Sequence, residues 1–436
     1  MSKQISRRDL LKGAAVGGFS FLFLPNSKTA FGYEANEKLN IGIIGCGGQG
    51  GSNLGGVSSQ NIVALCDTNM NTIKGRAEKF PNAKHFADYR RMLDKMHKQL
   101  DAVVVSTPDH NHAPASVMAM KMGKHVYCEK PLTHTLYEAR VMRDTARKYK
   151  VATQMGNQGT SAGGHREAVE VIQSGAIGQV YEVHVWSNRP VWPQGIVRPS
   201  DSPPVPAELS WDLWLGPAPA RSYNPCYQPF NWRGWKDFGT GALGDMGCHT
   251  VNMPFRALKL SNPISVEAEL FGGTSETYPK QSIVRFSFPE REGLRALRMI
   301  WYDGSLKPDK GILDGRELPG SGVLLIGDKG MLFSPDDYGS NYELLPKGQF
   351  VDFKAPAQTL PRSPGHHEEW IRACKGGEPA MSNFDYATAL TETILLGNLA
   401  ILTEETIYWD SKNLRAINCP KADQFIRTDY RKGWTL

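Results

Sequence analysis

Short apolar runs alternate with segments of helical periodicity through the first third of the chain. Buried strands are predicted at 39–45, 61–66, 101–107, 125–128 and 151–155. The segments between them predict helices at about 68–80, 88–99, 111–122 and 134–149. Strands that alternate with helices of this length are typical of a parallel, doubly wound sheet, whose ligands bind at the carboxyl ends of the strands.

After the predicted first sheet, the pattern changes to long strands with few helices between them. Strands are predicted at 180–186, 264–271, 282–288 and 294–302, and helices at 165–173, 366–374 and 386–402. This pattern indicates an open, mostly antiparallel sheet with one face covered by helices and one face exposed. The last helix is predicted to pack back against the first domain. The expected fold class is α/β, a doubly wound parallel sheet followed by an α+β domain.

The composition places the chain among globular proteins and narrows its partners. With 436 residues, 22% charged and 40% hydrophobic, it is neither disordered nor a multi-span membrane protein, and its length predicts two domains. The net charge is +6, of which residues 1–32 carry +4. The remainder is near neutral, which argues against nucleic acid or an anionic membrane as partner and favours a small molecule. The seven cysteines form no C-x-x-C pair, so neither a disulfide framework nor a metal site is predicted.

The first 32 residues are predicted to be a targeting segment. Residues 6–12 read SRRDLLK, an apolar run covers 13–24, and AFG at 30–32 fits a cleavage site. The run is about half of the ~20 residues that span a bilayer, so no stable membrane insertion is expected. The segment resembles a twin-arginine export signal, which implies the twin-arginine machinery as a partner, folding before export and a periplasmic location. An ordinary secretory signal or a basic cytoplasmic N-terminus stays open as an alternative.

A glycine-rich turn follows the first predicted strand. Residues 45–50 read GCGGQG, and Asp67 ends the next apolar run 22 residues after Gly45. In a dinucleotide-binding unit such a turn lets the backbone approach the pyrophosphate at a helix N-terminus. The acidic residue accepts the ribose hydroxyls and repels a 2′-phosphate, which favours NAD and leaves NADP open. The cofactor-binding residues predicted here are Gly45, Gly47, Gly48, Gln49, Gly50 and Asp67.

Further motifs lie at the predicted strand ends and in the second half. They are TPDHNH at 107–112, EKP at 129–131 and DMGCH at 245–249. Together with GCGGQG, their order and spacing resemble the Gfo/Idh/MocA family of glucose–fructose oxidoreductase and inositol dehydrogenase. The resemblance covers essentially the whole chain after the first 32 residues, including MGNQ at 155–158 and the tail at 429–434. It implies an oxidoreductase with a Rossmann domain and a homo-oligomer that uses the exposed sheet face.

The expected organisation has four parts. Residues 1–32 form the signal peptide, 38–158 the NAD(P)-binding Rossmann domain and 159–420 the substrate-binding domain. Residues 421–436 form a C-terminal tail. The stretch 190–235 is rich in Pro, Trp and Gly and is predicted to be a long functional loop or a covering arm.

The resemblance assigns the catalytic roles to three residues. Lys130 is expected to bond the reacting hydroxyl, His249 to act as acid and base, and Asp245 to accept a substrate hydroxyl or to partner His249. Asp245 and His249 are four residues apart, so on a helix they share one face. An ordinary histidine pKa of about 6.5 suits proton transfer near neutrality. Taken singly, the same residues also fit a surface loop and a helix-surface ion pair.

Other residues are predicted at the cofactor and the substrate. On the cofactor side these are Thr107, Pro108, His112, Glu129, Lys130 and Asn157, with helix capping as an alternative for His112. The candidate substrate residues are Gln158, Trp232, Arg233 and Trp235, because aromatic faces stack on sugars while polar groups satisfy hydroxyls. Packing is an equal alternative for the tryptophans, as is a structural role for Asn157 and Gln158.

Three functions are compatible with these residues. The leading hypothesis is an exported NAD-dependent oxidoreductase of a sugar, polyol or glycoside, with a tightly bound cofactor because no nicotinamide pool exists outside the cytoplasm. The second is redox-neutral glycoside cleavage by transient oxidation, elimination and reduction. Enzymes of that type are expected to carry a Tyr/His motif, which residues 231–249 lack. The third is a non-catalytic sugar-binding protein.

Overall fold

The structure is a computed structural model that describes residues 38–313 and 315–436. The predicted signal segment 1–32 lies outside the described residues. The first half contains a six-stranded parallel sheet in the order β3-β2-β1-β4-β5-β6. Its strands are β1 (Asn40–Ile44), β2 (Asn61–Cys66), β3 (Lys84–Phe86), β4 (Ala102–Val105), β5 (His125–Glu129) and β6 (Thr153–Gly156). The helices between them are α1 (Gly48–Gly56), α2 (Met70–Ala77), α3 (Tyr89–Met96), α4 (His112–Lys121) and α5 (Leu136–Tyr149).

The doubly wound sheet predicted from the sequence is therefore confirmed. Strand β4 is buried along its whole length, as expected for a strand covered by helices on both faces. The strand order reverses between β1 and β4, which places the ligand crevice at the carboxyl ends of these two strands. The edge strand β3 was not predicted, because it has only three residues and these are partly polar and largely exposed.

Side-chain caps fix where several helices begin. Asn69 accepts from the Asn71 amide before α2, and Asp88 accepts from the Arg90 amide before α3. Helix α5 starts with a capping box, in which Thr135 and Glu138 bond each other's backbone amides. Each cap satisfies an N–H group that has no acceptor inside its helix.

The second half forms a nine-stranded, mostly antiparallel sheet in the order β13-β12-β11-β7-β10-β9-β8-β14-β15. Its strands are β7 (Val180–Trp186), β8 (Ser265–Phe271), β9 (Gln281–Phe288), β10 (Leu297–Tyr302), β11 (Gly322–Gly327), β12 (Met331–Ser334), β13 (Glu343–Leu345), β14 (Ile407–Asp410) and β15 (Arg415–Ala416). The helices are α6 (Gly163–Gln173), α7 (Trp211–Leu215), α8 (Gly241–Thr250), α9 (Asn252–Ala257), α10 (His366–Cys374), α11 (Phe384–Thr403) and α12 (Asp423–Ile426). Strands β11 to β15 were not predicted, since they are short and lack a clear alternation of polar and apolar residues.

The outer face of this sheet is only partly exposed, which corrects the prediction of one open face. Trp186, Leu324 and Phe333 on the sheet are buried together with Leu313 and Leu318 from the preceding connection. The connection covers this end of the sheet because the strands there carry apolar residues on both faces.

Helix α11 joins the two halves. It is long and apolar enough to cross a membrane, but most of its residues are buried inside the protein. It packs against α5 of the first half and against α8 and β8 of the second. The predicted packing of this helix against the first domain is confirmed, and its apolar character is that of a core helix.

The stretch 190–235, called the arm below, covers the first domain. Its Leu209 forms a β-bridge with Asn69, directly after β2. Nearby, the Ser210 amide donates to the Thr68 carbonyl at 2.8 Å. The arm also contains α7 and part of an aromatic cluster, so it is more ordered than its composition indicates.

Candidate active site

The glycine turn between β1 and α1 is shaped so that side chains are excluded. Gly45 has a φ of +84°, and a Cβ there would lie 2.5 Å from the Ser106 carbonyl oxygen. A Cβ at Gly50 would lie 2.1 Å from the Gly45 carbonyl oxygen. Helix α1 begins at Gly48, and its N-cap Gly47 provides no side-chain cap. The N-cap residue therefore offers no side-chain acceptor to the first amides of this helix, as a site for an anion requires.

Asp67 lies beside this turn, at the end of β2. Its carboxylate accepts from the Cys46 amide at 2.9 Å and from the Asn69 amide at 2.9 Å. Burial raises the pKa of Asp67, and the amide hydrogen bonds oppose that rise. The two oxygens retain lone pairs for further donors such as ribose hydroxyls.

Two buried polar atoms that follow strands of the first sheet lack a partner among the described residues. They are Thr107 Oγ1 after β4 and Asn157 Nδ2 after β6. Pro108 follows Thr107 and precedes a short 3-10 turn. Unpaired buried polar atoms are costly, so groups like these fit a site that a polar ligand completes. With the glycine turn and Asp67, they fit a bound dinucleotide.

Three residues predicted for cofactor or substrate are instead engaged inside the protein. The ring nitrogens of His112 face the carbonyl oxygens of Pro131 and Thr107, both at 2.8 Å. Glu129 is buried and accepts from Gln158 Nε2 at 3.0 Å. These contacts join loops to one another inside the protein. The Glu129 carboxylate is buried, so it needs hydrogen-bond donors such as Gln158.

The network around Glu129 also includes α1. Asn53 Nδ2 donates to Glu129 at 2.8 Å, and Gln158 Nε2 also donates to the Tyr127 hydroxyl at 3.1 Å. Gln158 is therefore turned toward the interior, which differs from the predicted contact with substrate. Asn53, which links the dinucleotide helix to the strand end that carries Lys130, lies in none of the motifs that the sequence displays.

Lys130, Asp245 and Arg233 form a partly buried ionic triad. Lys130 Nζ donates to Asp245 Oδ1 at 2.7 Å and to the Asp245 carbonyl oxygen at 2.9 Å. Arg233 Nε donates to the same Oδ1 at 3.1 Å. Burial by itself would raise the pKa of Asp245, but the charges of Lys130 and Arg233 outweigh it and hold that pKa well below its usual range. Two cations share one carboxylate, so the triad has an excess positive charge.

His249 lies on the same helix as Asp245, one turn later. It is buried, and its Nδ1 has no partner among the described residues. Burial, then the charge of Lys130, lowers the pKa of His249 to about 3. This corrects the expectation of an ordinary value: the imidazole is neutral at physiological pH, so one of its ring nitrogens carries a lone pair.

Tyr338 contacts His249 from a distant part of the chain. The two ring centroids are 4.9 Å apart with an interplanar angle of 76°. Tyr338 is 89 residues beyond His249, and the sequence analysis did not identify it. The only signal in its surroundings is the turn-forming sequence SPDDYGS at 334–340.

The tryptophans near Arg233 differ in position. Trp235 is fully buried and packs edge-on against Tyr227 at 4.8 Å, so it is a packing residue and not a substrate contact. Trp232 is also buried, and the guanidinium of Arg233 lies 4.4 Å from its ring centre. On its other side Arg233 lies 4.4 Å from the exposed ring of Phe230. The structure thus brings Arg233 to the site, with its guanidinium against the rings of Trp232 and Phe230.

Two histidines, one after β4 and one after β5, contact the arm and the residues directly after it. The ring nitrogens of His110 face the carbonyl oxygens of Phe238 and Trp214 at 3.1 and 3.0 Å. His134 Nε2 faces the Lys236 carbonyl oxygen at 3.0 Å. Within 38–313 and 315–436, no three His, Cys, Asp or Glu side chains are grouped as metal ligands, and all seven cysteines are free thiols.

The fold and this site define a dinucleotide-binding protein with a polar reaction centre. Residues 39–157 match the family described as "Oxidoreductase family, NAD-binding Rossmann fold". Residues 170–436 match its "C-terminal alpha/beta domain". The chain belongs to the Gfo/Idh/MocA oxidoreductase family.

Curated relatives are similar over part of their length. A glycosyl hydrolase family 109 protein of Solibacter usitatus is 38% identical over 150 residues, which are 30% of this chain and 34% of the relative. Inositol 2-dehydrogenase of Salmonella typhimurium is 30% identical over 34% of this chain and 45% of its own. D-glucoside 3-dehydrogenase of Escherichia coli is 33% identical over 28% of this chain and 34% of its own. The matches thus span between a third and a half of these relatives.

Solved structures share the fold over most of the chain. The WlbA dehydrogenase of Bordetella pertussis, in complex with NADH and UDP-GlcNAcA, has a TM-score of 0.62 at 15% identity, covering 86% of this chain and 99% of that one. Aldose-aldose oxidoreductase of Caulobacter crescentus has a TM-score of 0.56 at 17% identity, covering 86% and 100%. At these identities the similarity concerns the fold alone.

Proposed function

We propose that the chain is an NAD-dependent oxidoreductase that oxidises a hydroxyl-bearing carbon of a sugar, polyol or glycoside. The observation that carries this proposal is the Lys130–Asp245–Arg233 triad next to a neutral His249. The triad lies at the end of β5, in the same sheet whose β1 leads into the glycine turn. Family membership and the names of the relatives support the same reaction class.

The bound nicotinamide supplies the hydride acceptor, and the residues of the chain handle charge and the proton. Lys130 Nζ donates to the substrate oxygen and stabilises the negative charge that develops on it. The excess positive charge of the triad strengthens this effect in a buried site. Neutral His249 accepts the hydroxyl proton as the carbon is oxidised to a carbonyl. Asp245 holds Lys130 in place and accepts a neighbouring substrate hydroxyl.

The low pKa of His249 predicts an unusual pH profile for oxidation. Because the pKa is lowered to about 3, the imidazole is already deprotonated throughout the neutral and mildly acidic range. We therefore expect kcat/KM for the sugar to show no inflection of His249 at about pH 6.5, the ordinary histidine pKa. Kinetics between about pH 5 and 8 test this, with the His249→Asn variant as control. A fall in kcat/KM below about pH 6.5 that is absent in His249→Asn would contradict this prediction.

The arm supports a tightly held cofactor. One part of it pairs with the loop after Asp67, where Leu209 bridges to Asn69 and the Met70 amide donates to the Glu208 carbonyl at 3.0 Å. Its other end carries Arg233, which bonds Asp245. The arm thus spans from the ribose-binding acid to the reaction centre, so the cofactor leaves only when these contacts open.

The first experiment is to identify the nucleotide that the protein carries. Full-length chain is purified from a cytoplasm, dialysed exhaustively and denatured, and any released nucleotide is identified by mass and absorbance. Stoichiometric NAD(H) is the expected result. NADP(H) would overturn the assignment to NAD, and an empty protein that binds added NAD weakly would overturn tight binding.

The substrate class is tested with compounds suggested by the names of the relatives. The probe panel consists of myo-inositol, methyl D-glucosides, levoglucosan and glucose 6-phosphate. We expect at least one neutral member to change the absorbance of the bound nicotinamide, with a keto sugar as product. Absence of both binding and turnover with every member would overturn the proposal.

Redox-neutral glycoside cleavage is the second candidate function. The similarity to a glycosyl hydrolase family 109 protein favours it. In this reaction oxidation next to the elimination site acidifies a C–H bond, the aglycone leaves, water adds and reduction restores the cofactor. Release of nitrophenol from nitrophenyl glycosides, without a net change in nicotinamide oxidation state, would select this candidate.

We further propose that the protein is exported by the twin-arginine route to the periplasm. The sequence SRRDLLK at 6–12 supports this. Replacing both Arg7 and Arg8 with lysine preserves charge and is expected to retain the protein in the cytoplasm, whereas Lys12→Arg should not. Periplasmic protein from the double variant would overturn the proposal.

We also propose a homo-oligomer that uses the open part of the second sheet. Tyr181, Phe271 and Tyr408 are large, exposed side chains on β7, β8 and β14. Light scattering after size exclusion tests this, and a monomer at micromolar concentration would contradict it.

A further inference from the structure

Tyr338 reaches the candidate active site on a loop that the rest of the fold holds in place. The Asp336 carboxylate accepts from the amides of Tyr338 at 2.8 Å, Ser340 at 3.0 Å and Asn341 at 3.0 Å. Three hydrogen bonds to one side chain fix the backbone of the loop on both sides of Tyr338. The backbone at Tyr338 is therefore held in place by the loop itself.

The same loop lies against the end of the first sheet. A Cβ at Gly159 would lie 3.0 Å from the Tyr338 carbonyl oxygen, and a Cβ at Gly164 would lie 1.9 Å from the Ser340 carbonyl oxygen. Glycines at these positions let the loop approach the turn that follows β6 and Asn157. Tyr338 thus enters the crevice from the second half of the chain.

The side chain of Tyr338 is turned toward the reaction centre and remains accessible. Its ring packs edge-on against His249, yet 42% of the residue is exposed. Among the described residues, no group hydrogen-bonds its hydroxyl. Lys130, Asp245 and Arg189 are near enough for their charges to act on its pKa, which burial raises. An aromatic face and a free hydroxyl at such a position are suited to a ring with both C–H faces and hydroxyls.

We infer that Tyr338 is a specificity-determining residue of the substrate site. This inference rests on the proposed function. The Tyr338 ring packs on the C–H face of the sugar beside His249, and its hydroxyl bonds a sugar hydroxyl next to the carbon that is oxidised. The substrate class is thus a polyhydroxylated ring and not an open-chain or simple alcohol.

The test compares Tyr338→Phe and Tyr338→Ala with the wild type on the member of the probe panel that is turned over fastest. Tyr338→Phe loses one hydrogen bond, so KM is expected to rise about threefold to tenfold. Tyr338→Ala also loses the ring contact, so KM is expected to rise at least about tenfold. In both variants kcat is expected to stay within about threefold, because Lys130 and His249 are unchanged.

Tyr342→Phe is the matched control. Tyr342 lies four residues further along, and its hydroxyl bonds Glu167 at 2.6 Å, away from the reaction centre. Removing this hydroxyl should leave KM unchanged. Content of bound NAD and the unfolding temperature are measured for all variants, so that a general loss of structure is recognised.

A second measurement separates substrate contact from a structural role. Monodeoxy forms of the accepted sugar are compared in wild type and Tyr338→Phe. The wild type should discriminate against one monodeoxy sugar, and Tyr338→Phe should lose about threefold to tenfold of that discrimination. Unchanged KM in Tyr338→Ala, or equal discrimination in Tyr338→Phe, would overturn the inference while the proposed function stands. A wild type inactive on the whole panel would overturn both.

Discussion

Replacing Lys130 with methionine is expected to lower turnover by about 10²–10³-fold, the usual effect of removing one donor that stabilises the charge developing on the reacting oxygen. The change removes the cation that bonds Asp245 at 2.7 Å and keeps an unbranched side chain that is one atom shorter. Asp245 retains Arg233 at 3.1 Å, so the buried carboxylate is not left without a partner. Steady-state kinetics on the accepted sugar measure the effect.

Lys74→Met is the matched control for Lys130→Met. Lys74→Met removes an equivalent charge from the exposed surface of α2, where Lys74 contacts Asn71, and should leave turnover unchanged. NAD content should remain stoichiometric in both variants, because the glycine turn is untouched. A rate within a few-fold of wild type in Lys130→Met would contradict the proposed role of Lys130 at the reacting oxygen.

Gly50→Ala is expected to abolish stable NAD binding. The added Cβ would lie 2.1 Å from the Gly45 carbonyl oxygen, a backbone atom that cannot rotate away. The turn and the start of α1 must therefore separate, and this moves the amides that would hold the pyrophosphate. We expect at least about a hundredfold loss of affinity, or about 2.8 kcal/mol, since each tenfold is about 1.4 kcal/mol. Nucleotide content after purification and calorimetric titration with NAD measure it.

Gly55→Ala is the matched control on the same helix. A Cβ at Gly55 meets nothing within 4 Å, so only the higher helix propensity of alanine acts. Its stability should be equal to that of the wild type or higher by up to about 1 kcal/mol. Stoichiometric NAD in purified Gly50→Ala would show that the turn does not hold the cofactor as proposed.

Much of the first domain was predictable because its signals are local. The alternation of apolar strands with helices predicted the parallel sheet, and the helices begin close to the predicted positions. The short strands β11 to β15 were not predictable, because they depend on neighbours in the sheet more than on their own pattern. The cover over Trp186 and Phe333 likewise comes from a separate connection.

The candidate site also combines features that have a local sequence signal with features that depend on distant parts of the chain. Asp245 and His249 share a helix face at a spacing that the sequence displays. Lys130, however, meets Asp245 across 115 residues, and the sequence had no local signal for that contact. Trp235 and Arg233 are two residues apart, but one is buried for packing and the other is bonded to Asp245. The residue types predicted which chemistry is available, whereas the side-chain directions decided which residues belong to the candidate site.

The sequence alone determined the class of fold, the glycine turn with Asp67 and the presence of Lys130, Asp245 and His249. These follow from periodicity and from short motifs, which are properties of neighbouring residues. Only the tertiary structure decided the excess charge of the triad, the neutral state of His249 and the position of Tyr338 beside His249. Burial and long-range contacts set these properties, since desolvation and Coulomb interactions depend on what surrounds a group in space and not on its neighbours in the chain.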